Sequence, residues 1–189
     1  MSKAQELFND ARKHYQHAVT TINHLAAAYQ QHVDQGRTGY SPARALAQFD
    51  LILQTALLNQ AIADGEFDAL EKQFVTKLTS YGNLMDYIRE ATGGQLDIDW
   101  KDLARLDVGT LRKLIRLLPT MLSSLCDDFA SPLSLVDRSL SDPGAALNSL
   151  IEDIACISKD MAYIDGVATD EEVHASVAMV SALIGSHWN

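Results

Sequence analysis

The residues of this chain best suited to chemistry are acids that occur in two matching runs. "ADGEFDALE" holds Asp64, Gly65 and Glu71, and "IDGVATDEE" holds Asp165, Gly166 and Glu172 at the same spacing. Carboxylates supply the hard oxygens that calcium and magnesium require, and zinc accepts carboxylate oxygen as well. The expected site is therefore a divalent cation held by Asp64, Glu71, Asp165 and Glu172, with calcium, magnesium or zinc as the ion. The same acids have a purely structural use. Asp68-x-x-Glu71 and Thr169-x-x-Glu172 both fit a capping box, in which the Glu returns to the backbone N–H of the cap residue. Each such cap contributes about 1 kcal/mol. Asp64 and Asp165 suit a similar role, accepting from free amides of the following turn.

An ordinary EF-hand is excluded. Asp-Gly-x5-Glu matches the latter half of a calcium loop, but the first and third ligand positions would fall on Gln60 and Ile62, or on Met161 and Tyr163. Three of these four are no ligands for a hard cation, and Gln is a poor substitute for Asp. Other constellations are thinner. Glu171 and His174 form one Glu-x-x-His, whereas a carboxylate-bundle metalloenzyme needs two, and the first run has Leu70 and Gln73 at the matching places. His14, His17, His24 and His32 gather on one N-terminal segment; His14 and His17 have the spacing to pair on a metal, but solvated positions beside an apolar stripe account better for the set. No phosphate-cradling glycine loop and no nucleophile elbow is present, so the sequence lends catalysis no support.

The elements that must position the acids read as helices throughout. Leu7, Ala11, Tyr15, Ala18, Ile22, Leu25, Tyr29 and Val33 recur at steps of three and four, which predicts one helix over Ala4 to Asp34. It packs on the body of the molecule or pairs with another chain. Ser41-Pro42 marks the next helix start, with Ser as N-cap and Pro where its missing N–H does no harm. That helix runs to about Asp64 on a buried stripe of Leu46, Phe49, Leu53 and Leu57, and Gly65 ends it. A further helix starts near Asp68 and carries Leu70, Phe74, Leu78 and Tyr81. Residues 83–106 read as short helical pieces around Gly93-Gly94. Asp107 to Ala130 is a helix interrupted near Pro119, and "SPLSLVDRSLSDPG" is a connector. No strand-like alternation is seen.

An offset of 101 aligns the two acidic runs and their surroundings without a gap. Ser41-Pro42 falls on Asp142-Pro143, Ala45-Leu46 on Ala146-Leu147, and Phe49, Leu53 and Ala56 on Leu150, Ile154 and Ile157. Ala61, Asp64-Gly65 and Glu71 fall on Ala162, Asp165-Gly166 and Glu172. The expected organisation is a long N-terminal helix over 1–36, then an all-α domain over 37–189. Within that domain, hairpin repeats at 41–82 and 142–184 flank a helical insert at 83–141, in about seven to nine helices.

A helix ending in Ala-x-x-Asp-Gly, then a short turn, a cap residue and a Glu opening the next helix, resembles the TerB-like family of tellurite-resistance and stress proteins. Ala61, Asp64, Gly65 and Glu71 carry the resemblance, and Ala162, Asp165, Gly166 and Glu172 repeat it. It covers roughly Ser41 to Ile184. It implies a compact all-α domain with two pseudo-symmetric hairpins, divalent metal at the acidic bends, and a role in stress or chemical resistance through protein partners, often in complexes at a membrane. The long first helix and the wide insert depart from the compact family pattern. Two other readings stand beside it: a scaffold or oligomerisation module without metal, joined through the first helix, and a metal-dependent enzyme of the bundle type.

Composition sets the outer limits. The net charge of −10 and a pI near 4.9 disfavour nucleic acid and anionic membrane surfaces, and favour cations or basic patches on proteins. Apolar residues make up 47% of the chain, enough for a real core. The start "MSKAQELFND" has no apolar signal core, and no run of apolar residues is long enough to insert in a membrane, so a cytoplasmic location is expected. Cys126 and Cys156 lack metal-type spacing and read as reduced, buried thiols.

Overall fold

A computed structural model describes the chain apart from residues 1, 64–66, 143, 167 and 186–189 and the side chains of 104, 179 and 182–185. Seven α-helices and no strand are found among the described residues: α1 Lys3–Tyr29, α2 Pro42–Ala61, α3 Ala69–Leu78, α4 Leu84–Ala91, α5 Val108–Asp137, α6 Ala145–Ala162 and α7 Asp170–Gly185. The fold is all-helical, as the periodicity predicts.

The stripe on α1 is the reason this helix lies inside the fold. Ala11, Ala18, Ile22 and Leu25 are fully buried, and α1 packs along α6 and against α2 and α5. The pattern fails in the last turn, which widens to a π-helix over Gln30–Asp34 and ends at Gln35 in the left-handed region, φ 49°. The wider turn shifts the buried face by one position. Val33 is left 44% exposed while Asp34 goes inside and accepts a hydrogen bond from the Thr38 N–H at 2.7 Å.

The α2 stripe is buried as expected, and Phe49 stacks on Tyr15 of α1 and meets the tilted ring of Phe129 of α5, each centroid 6.1 Å away. In α3, Phe74 and Leu78 are buried, but Leu70 is 39% exposed and Tyr81 lies beyond the helix end. Two polar residues of α2 tie down the link from α3 to α4. The Asp50 carboxylate accepts from Tyr15 Oη at 2.8 Å and from the N–H groups of Ser80, Tyr81 and Gly82. Gln54, one turn on, donates to Thr79 Oγ1 and the Gly82 carbonyl and accepts from the Leu84 N–H that opens α4. Gly82 must be glycine, since a Cβ there would stand 2.8 Å from the Ala47 carbonyl oxygen.

The largest departure from the expected elements is α5. It continues through Pro119 and Pro132 to Asp137, so the first half of the expected connector is helix. Leu133 and Val136 explain it: they extend the buried row of Leu118, Leu122, Leu125 and Phe129 by two more turns against the main core. The first half of α5 instead covers α4 and the end of α2, forming a second apolar cluster with Leu58, Leu84, Ile88 and Leu114.

The second hairpin keeps the register of the first. α2 ends at Ala61 and α6 at Ala162; α3 begins at Ala69 and α7 at Asp170; both pairs differ by 101. The helix starts do not match. α6 begins two residues later than the offset requires, and its N-cap is Gly144 at φ 88° rather than Asp142. The Gly144 N–H is held by Asp137 at 2.8 Å, which sets the entry into α6 from the end of α5. The hairpins touch where Gln60 and Ser158 exchange hydrogen bonds, Nε2 to the Ser158 carbonyl at 3.0 Å and Oγ to Gln60 Oε1 at 2.6 Å. Ser158 Oγ also meets Ser176 Oγ of α7 at 2.7 Å.

Candidate functional site

The two glutamates of the repeated motif occupy equivalent local sites. Asp68 is the N-cap of α3; its Oδ1 accepts the Glu71 N–H at 2.8 Å, and Glu71 Oε2 accepts the Asp68 N–H at 2.8 Å. At the start of α7, Glu172 Oε2 accepts from the Thr169 N–H at 2.7 Å and Thr169 Oγ1 at 2.9 Å, and the Glu172 N–H donates back to that hydroxyl at 3.2 Å. Both capping boxes therefore form. Both glutamates are buried, at 8% and 5% exposure, which is rare for glutamate unless it is held by donors. Asp165 is exposed, on a bend that turns at Gly166 with φ 118°. Asp64 lies outside the described residues. Ile164 turns inward from the same bend and lines a groove of about 330 Å3 with Phe8, Leu70 and Phe74.

Among the described residues, no three of His, Cys, Asp or Glu converge on a point that a metal ion could occupy. Glu71, Asp165 and Glu172 are therefore not gathered into one cluster. On α7, Glu171 and His174 both face solvent, whereas a carboxylate-bundle site would need them turned inward.

A second constellation is assembled only by the fold. His14 and His17, one turn apart on α1, both address Asp153 of α6: His14 Nδ1 lies 2.9 Å from Oδ1 and His17 Nδ1 lies 2.6 Å from Oδ2. A carboxylate only accepts, so each imidazole donates from Nδ1, and Asp153 orients both rings. Asp153 is 5% exposed, while His14 is half-buried and His17 is open to solvent. Two turns along α6, Asp160 is also buried, with Oδ2 lacking a hydrogen-bond partner among the described residues. Burial, then the charge of Asp10, push its carboxyl up to about 6, against the opposing pull of His14 and Lys159. Cys156 stands between them, and burial followed by the charge of Asp160 pushes its thiol up, away from the reactive thiolate. The row is thus an oriented His–Asp–His bridge with no activated nucleophile beside it. The two histidines stand out in the sequence; their partner sits 136 and 139 residues away, a separation no local pattern reports.

No family model, curated protein or solved structure matches the chain. No helix among the described residues is long and apolar enough to cross a membrane.

Proposed function

We propose that the chain is a TerB-like helical module acting in stress response through protein partners, and that its two acidic bends bind divalent cations. The observation that carries this reading is the pair of buried glutamates, Glu71 and Glu172, each opening a helix through the same capping box at an offset of 101. On this reading the two hairpins are related by approximate symmetry. Each bend then offers one aspartate and one glutamate, Asp64 with Glu71 and Asp165 with Glu172, and water completes the shell of a hard cation such as calcium or magnesium. The ion would stabilise the folded form by mass action, tying each helix end to the start of the next.

The capping boxes themselves favour one competing reading, a scaffold without metal in which the acids serve only as clips. Thermal melts of the full chain with calcium, magnesium and zinc separate the two. The cation reading expects a rise in Tm with at least one ion, abolished by Asp64→Asn combined with Asp165→Asn. A Tm that no divalent ion moves removes the cation and leaves the clips.

A further inference from the structure

Among the described residues two helix faces lie exposed, and they carry opposite charge. On the first half of α5, Val108 and Ile115 are 64% and 40% exposed, with Arg112 and Arg116 exposed between and beside them. Neither arginine enters an ion pair among the described residues, and the sequence holds no acid from Val108 to Cys126. On α7, Val173 and Val177 are 44% and 59% exposed, next to Asp170 and Glu171 in the first turn. Residues three, four and seven apart share a helix face, so Val108, Arg112, Ile115 and Arg116 form one stripe and Asp170, Val173 and Val177 another, with Glu171 at its flank.

We propose that these faces bind each other between copies of the chain, α5 of one copy against α7 of the next. A basic, partly apolar strip on a body of net charge −10 selects for what lies opposite it. Lipid headgroups or a nucleic acid would meet the arginines but be repelled by the rest of the surface. A second copy brings the opposite charge, Asp170 with Glu171 at its flank, beside its own exposed valines. Covering the four apolar side chains contributes about 25 cal/mol per Å2 removed from water, and the charges set orientation and speed encounter. The α5–α7 contact can form reciprocally in a two-fold dimer or run head to tail into a ring or an open chain.

Sedimentation velocity of the full chain at low and high ionic strength tests this. Wild type sediments above the monomer at low salt and shifts toward monomer as salt screens the pairs. Arg112→Glu with Arg116→Glu, and separately Asp170→Lys with Glu171→Lys, each weaken assembly roughly tenfold or more, because like charges now face each other. Val177→Gln, which leaves the first turn of α7 unaltered, weakens it too. The decisive sample is an equimolar mixture of the arginine and acid double variants: each retains one wild-type face and one reversed face. The wild-type faces pair, and the two reversed faces, again opposite in charge, pair as well, so the mixture regains the assembly that each variant alone has lost. The proposal is overturned by a wild type that stays monomeric at low salt, by assembly that survives either reversal, or by a mixture that remains monomeric. Capture of wild type, but not the arginine variant, by phosphatidylserine vesicles would assign the α5 face to lipid and overturn it equally.

Discussion

At the scale of single residues, buried carboxylates divide by what they face. Asp50 is fully buried with four donors around it, yet desolvation still outweighs them and holds its carboxyl above the usual range. Replacing it by alanine leaves the N–H groups of Ser80, Tyr81 and Gly82 and the Tyr15 hydroxyl without their acceptor, so Asp50→Ala is expected to lose about 3 kcal/mol or more in a urea titration. The bridge at Asp153 makes a sharper comparison. Removing the carboxylate with Asp153→Ala loses two hydrogen bonds, about 1–2 kcal/mol, while two imidazoles that already reach solvent hydrate. Removing both donors with His14→Ala and His17→Ala strands a carboxylate that is 5% exposed. That double variant is expected to be the less stable of the two, because an uncompensated buried charge costs more than a lost pair. The reverse order would show that Asp153 does not depend on the histidines.

Asp160 adds a pH dependence of its own. Its folded pKa of about 6 lies above the ordinary carboxylate value of 3.8, so between these values the folded state binds the proton more tightly than the unfolded chain. Its contribution to stability is therefore greatest at low pH and is lost as pH rises from about 4 to about 6. Asp160→Asn removes the charged form and is expected to raise stability at pH 7 by about 1–2 kcal/mol, at about 1.4 kcal/mol per unit and discounted for nearby solvent. The gain should vanish near pH 4. Unfolding free energies of wild type and variant measured across that window check both the size and the sign, and a gain that persists at pH 4 would assign it to packing.

At the scale of elements, some helix starts are legible in the sequence and others are not. Asp68 and Thr169 with a Glu three residues on announce α3 and α7, since a capping box is a local device complete within four residues. Glu172→Ala should cost about 1 kcal/mol and fray the start of α7, seen as lost amide protection at Thr169 and Val173; protection that stays intact would show that packing against α6 alone holds that turn. The start of α6 is misleading because Asp142-Pro143 imitates Ser41-Pro42. The deciding contact, Asp137 on the Gly144 N–H, comes from the preceding helix. The reach of α5 is hidden for a similar reason. Two prolines and several serines look like a connector, and only the burial of Leu133 and Val136 against the main core shows what continuing the helix gains. The candidate acids can be placed on their turns from sequence, but whether they meet across the two hairpins cannot, because nothing local encodes that distance. The His14–Asp153–His17 bridge lies beyond reach altogether for the same reason.

At the scale of the whole molecule, the question is whether one cooperative unit spans two apolar clusters. The larger cluster joins α1, α2, α5 and α6; the smaller joins α4 and its flanking turns to the first half of α5 and the end of α2. Leu51, Phe67, Tyr87 and Trp100 pack against both, and α2 and α5 each run through both. Neither cluster can then lose its packing without uncovering side chains of the other, and α1, which a domain boundary at residue 36 would set apart, supplies Ala11, Ile22 and Leu25 to the larger one. The expected outcome is a single transition. With Trp188→Phe leaving Trp100 as the sole indole, urea unfolding followed by tryptophan fluorescence and by far-ultraviolet circular dichroism should give one midpoint, since coincident transitions are the mark of two-state behaviour. Trp100 reports the smaller cluster and its seam, whereas the helical signal is dominated by α1, α2, α5 and α6. An earlier fluorescence midpoint would mean that the insert around α4 opens by itself, and that the bridging side chains couple the clusters too weakly to act as one.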